Sequence, residues 1–306
     1  MNYKLAGTIA LVIWLTLTGW ADEQAVGQSA SPQLSTPQPS TDSSSATDAP
    51  LSYQFETYTS KLMGGSRTYG VVLPPGYEQN PTQRYPVIFL LHGGHGTPQD
   101  WLETDKGDAI ATLNHLYEVG QLPPSIVITP DGNDKRGSSP YWDPQYIDGP
   151  NGKVSSSIGN ELVKVVQSRY RTLPAPAFWA IGGLSSGGWG AMNVGLHHRD
   201  RFSILFSHSG YFRDKSGPQN SPINYVRTLS IQDRKRLHVY LDAGADDATF
   251  LSENRHFHEL LDRLKIANVL HEFPGEHTWR YWREHLADSL TFVGKQFQLA
   301  ERDRKR

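Results

Sequence analysis

The sequence predicts an α/β fold: a mostly parallel central sheet of about eight strands, with helices on both faces. Two observations carry this. From residue 52 onward, short strand-like runs alternate with longer helix-like ones. The inner runs are also apolar throughout rather than at every second position, as in Tyr85-Pro86-Val87-Ile88-Phe89-Leu90-Leu91. Continuous apolarity marks a strand buried on both faces.

Gln54 to Thr59 and Arg67 to Leu73 read as the first two strands. Pro74-Pro75-Gly76 ends the second, since two prolines cannot donate to a ladder. Tyr85 to Leu91 is the third. Further strands are expected at Ser125 to Thr129, Phe178 to Gly182, Ile204 to Ser207, Leu237 to Leu241 and Leu270 to Phe273. Helical patterns lie between them. Ser157 to Tyr170 carries Leu162, Val165 and Val166, and Trp189 to His197 follows a Gly-rich turn. Phe250 to Ile266 repeats apolar residues at Leu251, Phe257, Leu260, Leu261 and Leu264, and Trp279 to Phe297 closes the domain. One domain over residues 52–300 fits, with Glu301 to Arg306 as a charged, solvated tail.

The N-terminal fifty residues have a different character. Lys4 precedes an apolar run from Leu5 to Leu17, and small residues follow at Gly19 and Ala21. The run is shorter than the ~20 residues a membrane span needs, and it has the proportions of an export signal ending near residue 21. Residues 22–51 are rich in Ser, Thr, Pro and Gln. Such a composition cannot offset its ordering entropy by burial, so a flexible tether is expected. The expectation is an exported protein, periplasmic, secreted or at the cell surface, with no stable membrane span after signal cleavage.

Composition excludes several functions. The 306 residues contain no Cys, which removes disulfide scaffolds, zinc ribbons, iron–sulfur centres, thiol nucleophiles and Cys-linked lipid anchors. A formal charge of −2 argues against nucleic-acid binding. No cofactor and no metal is expected.

The chemistry begins at Ile181-Gly182-Gly183-Leu184-Ser185-Ser186-Gly187-Gly188-Trp189-Gly190-Ala191. It contains G-x-S-x-G over Gly183 to Gly187. That pattern alone is weak, since roughly 0.2 matches are expected from the Gly and Ser content of the chain. A strand before it and a helix after it make it a nucleophile elbow, with Ser185 at the strained apex and the Ser186 N–H at a helix N-terminus. Ser185 needs a base. His277 lies between the last strand and the last helix, at the sheet edge where α/β folds place their sites. The base needs an orienting acid, and Asp242, Asp246 and Asp247 are candidates that spacing does not separate. His92-Gly93-Gly94-His95-Gly96 follows the third strand. Its glycines suit an oxyanion hole from the Gly94 and Ser186 N–H groups, with His92 and His95 as packed loop residues.

Together these motifs resemble the putative esterase family of the α/β-hydrolases. That family includes esterase D, feruloyl and acetylxylan esterases, enterochelin esterases and mycolyltransferases. The resemblance covers residues 55–298. It rests on Leu90 to Gly94, Gly183 to Ala191, the Gly244-x-x-Asp247 step and Pro274-Gly275-x-His277-x-Trp279 with Trp282. It implies a single α/β-hydrolase domain and a Ser185–His277–Asp247 triad, because the family's acid stands three residues after the glycine. The family often has Met where this chain has Ser186, a change that leaves the backbone N–H in place. A serine esterase acting on small acyl or carbohydrate-linked esters is the expected function. An acyltransferase using the same acyl-enzyme and a non-catalytic surface-binding module are the alternatives.

Aromatic residues Trp101, Tyr141, Trp142 and Trp189 fall in or near the active-edge loops and are candidates to bind substrate, with Tyr211 and Trp279 nearby. The loop from Asp131 to Lys153 carries Asp131, Asn133, Asp134, Asp143 and Asp148. Such oxygen ligands suit calcium, but EF-hand spacing is lacking, so a substrate-shaping loop without metal is expected.

Overall fold

The computed structural model describes residues 51–306. The expected export signal and all but the last residue of the tether lie outside the described residues. The strands are β1 (Tyr53–Ser60), β2 (Gly65–Val72), β3 (Val87–Leu91), β4 (Ile126–Pro130), β5 (Asp148–Gly149), β6 (Gly152–Lys153), β7 (Trp179–Leu184), β8 (Ile204–His208), β9 (His238–Gly244) and β10 (Ala267–Phe273). β5 and β6 form a short hairpin of their own in the long loop after β4. The other eight make one sheet in the order β1-β2-β4-β3-β7-β8-β9-β10. β1 pairs antiparallel with β2, β2 antiparallel with β4, and all later sheet pairs are parallel.

The continuous apolar runs sit where a doubly covered sheet needs them. Every residue of β3, β4, β7 and β8 is buried. The edge strands differ. Tyr53 and Phe55 on β1 are exposed, and β10 is at best half-buried along its length.

The covering helices are α1 (Ala109–Glu118), α2 (Val154–Ser156), α3 (Val163–Arg169), α4 (Ser186–His197), α5 (Pro222–Tyr225), α6 (Ile231–Arg236), α7 (Ala248–Arg263) and α8 (Trp279–Arg304). A π-helical segment, Ser157–Leu162, joins α2 to α3, so the helix expected from residue 157 begins three residues earlier and is wider in its middle. α1 packs on α8, and α4 packs on β7, β8 and the π segment. All of α4 from Ser186 to Leu196 is buried. Its glycines allow this: a Cβ on Gly190 would lie 2.3 Å from the Tyr146 ring, and one on Gly195 would lie 2.3 Å from Leu205.

Two further boundaries also differ from expectation. α8 runs on to Arg304, so the charged end is mostly the exposed last turns of a helix rather than a tail. Arg304 and Lys305 pair with Glu301 there, at spacings of three and four residues that helical winding brings together. β9 extends to Gly244 and takes Asp242 into the strand. Among the described residues no helix is long and apolar enough to cross a membrane.

Candidate active site

Sheet register assembles the site. Leu184 of β7 pairs with His208 of β8, His208 with Asp242 of β9, and Asp242 with His271 of β10. This row crosses the C-terminal ends of four parallel strands. Ser185 is one residue beyond it, Asp247 five residues and His277 six. The chain therefore delivers all three to one edge. The last two loops are tied together: Ala245 N–H donates to Phe273 O at 2.7 Å and Asp246 N–H to Gly275 O at 3.0 Å.

Ser185 occupies a strained turn, with φ 52° and ψ −121°, between β7 and α4. The Ser185 N–H donates to His208 O at 2.8 Å, which holds the turn on β8. Glycine is required around it because backbones nearly touch. A Cβ on Gly183 would lie 2.6 Å from the Leu91 and Gly187 carbonyl oxygens, and one on Gly187 would lie 2.4 Å from the Leu91 and His92 oxygens.

Ser185 Oγ lies 2.9 Å from His277 Nε2, and His277 Nδ1 lies 2.7 Å from Asp247 Oδ2. These distances suit a serine hydroxyl donating to Nε2 and an Nδ1–H donating to the carboxylate. Asp247 is 8 % exposed and His277 29 % exposed. The other two carboxylates point elsewhere. Asp246 Oδ2 accepts from Gly275 N–H at 3.3 Å on the exposed side of the loop. Asp242 is fully buried, takes the Tyr281 hydroxyl at 3.2 Å and lies 2.7 Å from His208 Nδ1, in a contact too oblique for a hydrogen bond.

Phe250 stacks on the His277 imidazole at 4.1 Å and 25°, and Trp282 meets its edge at 4.8 Å and 90°. The Trp282 indole N–H donates to Ser209 Oγ at 3.2 Å. The sequence pattern marks Phe250 only as the start of a helix, whereas α7 begins at Ala248. Its place three residues after Asp247 is the one local sign of a role beside the histidine.

The loop after β3 approaches the elbow closely. A Cβ on Gly94 would lie 3.9 Å from Ser186 Oγ, so the Gly94 backbone lies close to the first residue of α4. His92 is buried and pins this loop: its Nδ1 lies 3.0 Å from Gly93 O, and its Nε2 accepts from Gly132 N–H at 2.9 Å. Burial pushes the His92 imidazole below its ordinary range, consistent with a neutral ring that donates at Nδ1 and accepts at Nε2. The Tyr146 hydroxyl donates to His92 O at 2.7 Å. His95, at φ 62°, contacts Ser139 O through Nδ1 at 2.6 Å.

The aromatic candidates divide. Trp101 and Trp189 are fully buried, against the expectation that they meet substrate. Their indole N–H groups are already engaged, Trp101 with Leu91 O at 2.9 Å and Trp189 with Asn220 O at 2.9 Å, because both rings fill space beneath loops. Tyr141 is 87 % exposed, and Trp142 is half-buried beneath the Arg136 guanidinium. Tyr211 stacks on Trp189 at 5.5 Å and 12°, Trp279 meets Trp101 edge-on, and neither Tyr211 nor Trp279 is fully buried.

Most carboxylates of the 131–153 loop are engaged by the protein. Asp131 meets Arg67 at 3.3 Å, Asp134 meets Arg136 at 2.8 Å, and Asp148 accepts from Ser156. A pocket of about 650 Å³, lined by Leu173, Phe178 and Phe297 together with Arg84, Glu301 and Arg302, lies at the opposite end of the sheet from Ser185.

Comparison with known proteins now decides the family. The family model described as "Putative esterase" matches residues 60–293.

The chain belongs to the putative esterase family.

Residues 60–293 form an esterase-family domain of the α/β-hydrolase fold. The chain is 26% identical over 273 residues to the acetyl esterase of Caldicellulosiruptor saccharolyticus, covering 78% of this chain and 96% of that one. It is 28% identical over 251 residues to an endo-1,4-beta-xylanase/feruloyl esterase of Xylanibacter ruminicola, covering 76% of this chain and 30% of that one. A solved ferulic acid esterase superposes with a TM-score of 0.74 at 27% identity, covering 81% of this chain and all of that one. The chain spans about half the length, 56%, of a Corynebacterium glutamicum relative of unassigned function.

Proposed function

We propose that this esterase-family protein is an exported serine esterase that uses Ser185, His277 and Asp247 on small acyl or carbohydrate-linked esters. The observation that carries the reading is the continuous chain of contacts from Ser185 Oγ through His277 to Asp247, at 2.9 and 2.7 Å. His277 Nε2 takes the Ser185 proton as Oγ adds to the ester carbonyl, and Asp247 holds the ring in the tautomer that leaves Nε2 free. The Gly94 and Ser186 N–H groups receive the oxyanion, the latter aided by the α4 N-terminus. His277 then protonates the leaving alcohol, and water, activated by the same base, releases the acid.

The substrate class rests on the similarity to the acetyl esterase and the ferulic acid esterase and on the ring of Tyr141 in the long loop after β4. An exposed aromatic ring suits stacking on a sugar or a phenolic acyl group. Export rests on the Lys4 and Leu5–Leu17 pattern, with residues 22–51 as tether.

The test is hydrolysis of p-nitrophenyl acyl esters and methyl ferulate by the purified protein beside Ser185→Ala. Turnover is expected in the parent, and the variant is expected to lose at least about a thousandfold with the fold retained. Comparable turnover in both would refute the assignment.

A further inference from the structure

Asp143 is the carboxylate of the 131–153 loop that packs against the expected oxyanion hole. A Cβ built on Gly94 would lie 2.3 Å from Asp143 Oδ1, so this oxygen packs directly on the Gly94 backbone. The same point is 3.9 Å from Ser186 Oγ. The loop is held there by His95, whose backbone oxygen accepts from the Ser138 hydroxyl at 2.9 Å and whose ring meets Ser139 O.

Arg136, the closest cation in sequence, is committed to Asp134 at 2.8 Å and lies over Trp142 at 5.1 Å. Among the described residues no Lys, Arg or His nitrogen pairs with Asp143, and no protein group donates a hydrogen bond to it. Its field also reaches Tyr211 across the site. Burial pushes that phenol well up, the Ser186 hydroxyl opposes this, and the Asp143 charge adds to the rise.

An uncompensated negative charge beside an oxyanion hole opposes the very charge the hole stabilises, so its presence calls for another use. We propose that Asp143 sets the charge selectivity of this site, excluding esters and product acids that carry a negative charge next to the reacting carbonyl. The assignment rests on the serine-esterase reading above. A neutral ester enters without repulsion. Each turnover ends in a carboxylic acid that loses its proton to water, and the resulting carboxylate lies against Gly94 beside the Asp143 carboxylate. Repulsion between the two like charges drives the product out. Half-esters of dicarboxylic acids carry their charge at entry and are turned away for the same reason.

The experiment compares the parent, Asp143→Asn and Asp143→Lys. Asp143 is exposed, so both variants retain the fold. The ratio of kcat/KM for p-nitrophenyl hydrogen succinate to that for p-nitrophenyl butyrate is measured at low ionic strength. It is expected to rise about tenfold in Asp143→Asn, the factor that about 1.4 kcal/mol supplies, and further in Asp143→Lys. Acetate binding, followed by NMR titration and needing no turnover, is expected to tighten in the same order. Shifts below about twofold in both readouts would overturn the proposal. Absence of turnover in all three proteins would count against the serine-esterase reading, while the acetate titration would still decide the role of Asp143.

Discussion

Replacing Asp247 by Asn removes one charge from the back of His277 and changes little else, so its effect can be worked from the structure. Asp247 Oδ2 lies 2.7 Å from His277 Nδ1, and the carboxylate is 8 % exposed. In the proposed mechanism His277 becomes an imidazolium as Ser185 attacks. At that distance and an effective dielectric of about 20, the attraction between the two charges is about 6 kcal/mol. Each 1.36 kcal/mol is tenfold in rate, so a loss of about thirty-thousandfold in turnover is the upper bound. The amide also presents an N–H toward Nδ1 in one rotamer and so favours the wrong tautomer, which acts in the same direction. Asp247→Asn is therefore expected to turn over p-nitrophenyl acetate roughly a thousandfold to ten-thousandfold more slowly, with KM nearly unchanged. Asp246→Asn is the internal control. Asp246 accepts one long hydrogen bond, from Gly275 N–H at 3.3 Å, and an amide oxygen replaces it. Its turnover is expected within about threefold of the parent. Equal losses in the two variants, or an Asp247→Asn protein that keeps more than about a tenth of parental turnover, would refute the reasoning, provided circular dichroism shows both proteins folded.

Two further outcomes follow from the packing. Gly187→Ala places a Cβ 2.4 Å from two backbone oxygens that cannot swing away, so the elbow and the Gly93–Gly94 loop must part. Turnover is expected to fall at least about a hundredfold in protein that remains folded, and near-parental turnover would contradict the close approach. His92 contributes to the pH dependence of stability. Burial lowers its folded-state pKa below the ordinary value near 6.5, so below pH 6.5 the unfolded chain binds the proton more readily than the native protein. The stabilisation is complete above that pH and is lost as pH falls toward the folded value, at up to about 1.4 kcal/mol per pH unit for one proton. His198 and His238 shift in the same direction through burial. Urea unfolding between about pH 7 and pH 5 is expected to show a shallower decline in His92→Gln than in the parent, and identical slopes would remove His92 from this role.

Much of the site was legible in the sequence for a local reason. The Gly-rich elbow, the His92-Gly93-Gly94 turn and the short loop around His277 each declare backbone geometry through residues that few other arrangements need. The strand runs were legible because burial on both faces leaves no room for alternation, and β3 is buried at every position. Spacing alone did not separate Asp242, Asp246 and Asp247, since all three fall at the end of β9 or in the loop that follows it. The family's glycine-to-acid step favoured Asp247, and the contact with His277 is a fact of the fold alone.

The sequence by itself determined the fold class, the elbow at Ser185 and the edge of the sheet at which the loops gather. Those follow from periodicity and from glycine, which act over a few residues. The tertiary structure decided which carboxylate faces His277, that Phe250 lies flat on the imidazole, that Trp101 and Trp189 fill the interior, and that Asp143 rests on Gly94. Each of these joins residues brought together by strand register and loop packing. Orientation and burial are set by the neighbours a side chain meets in space, and the order of residues along the chain does not record them.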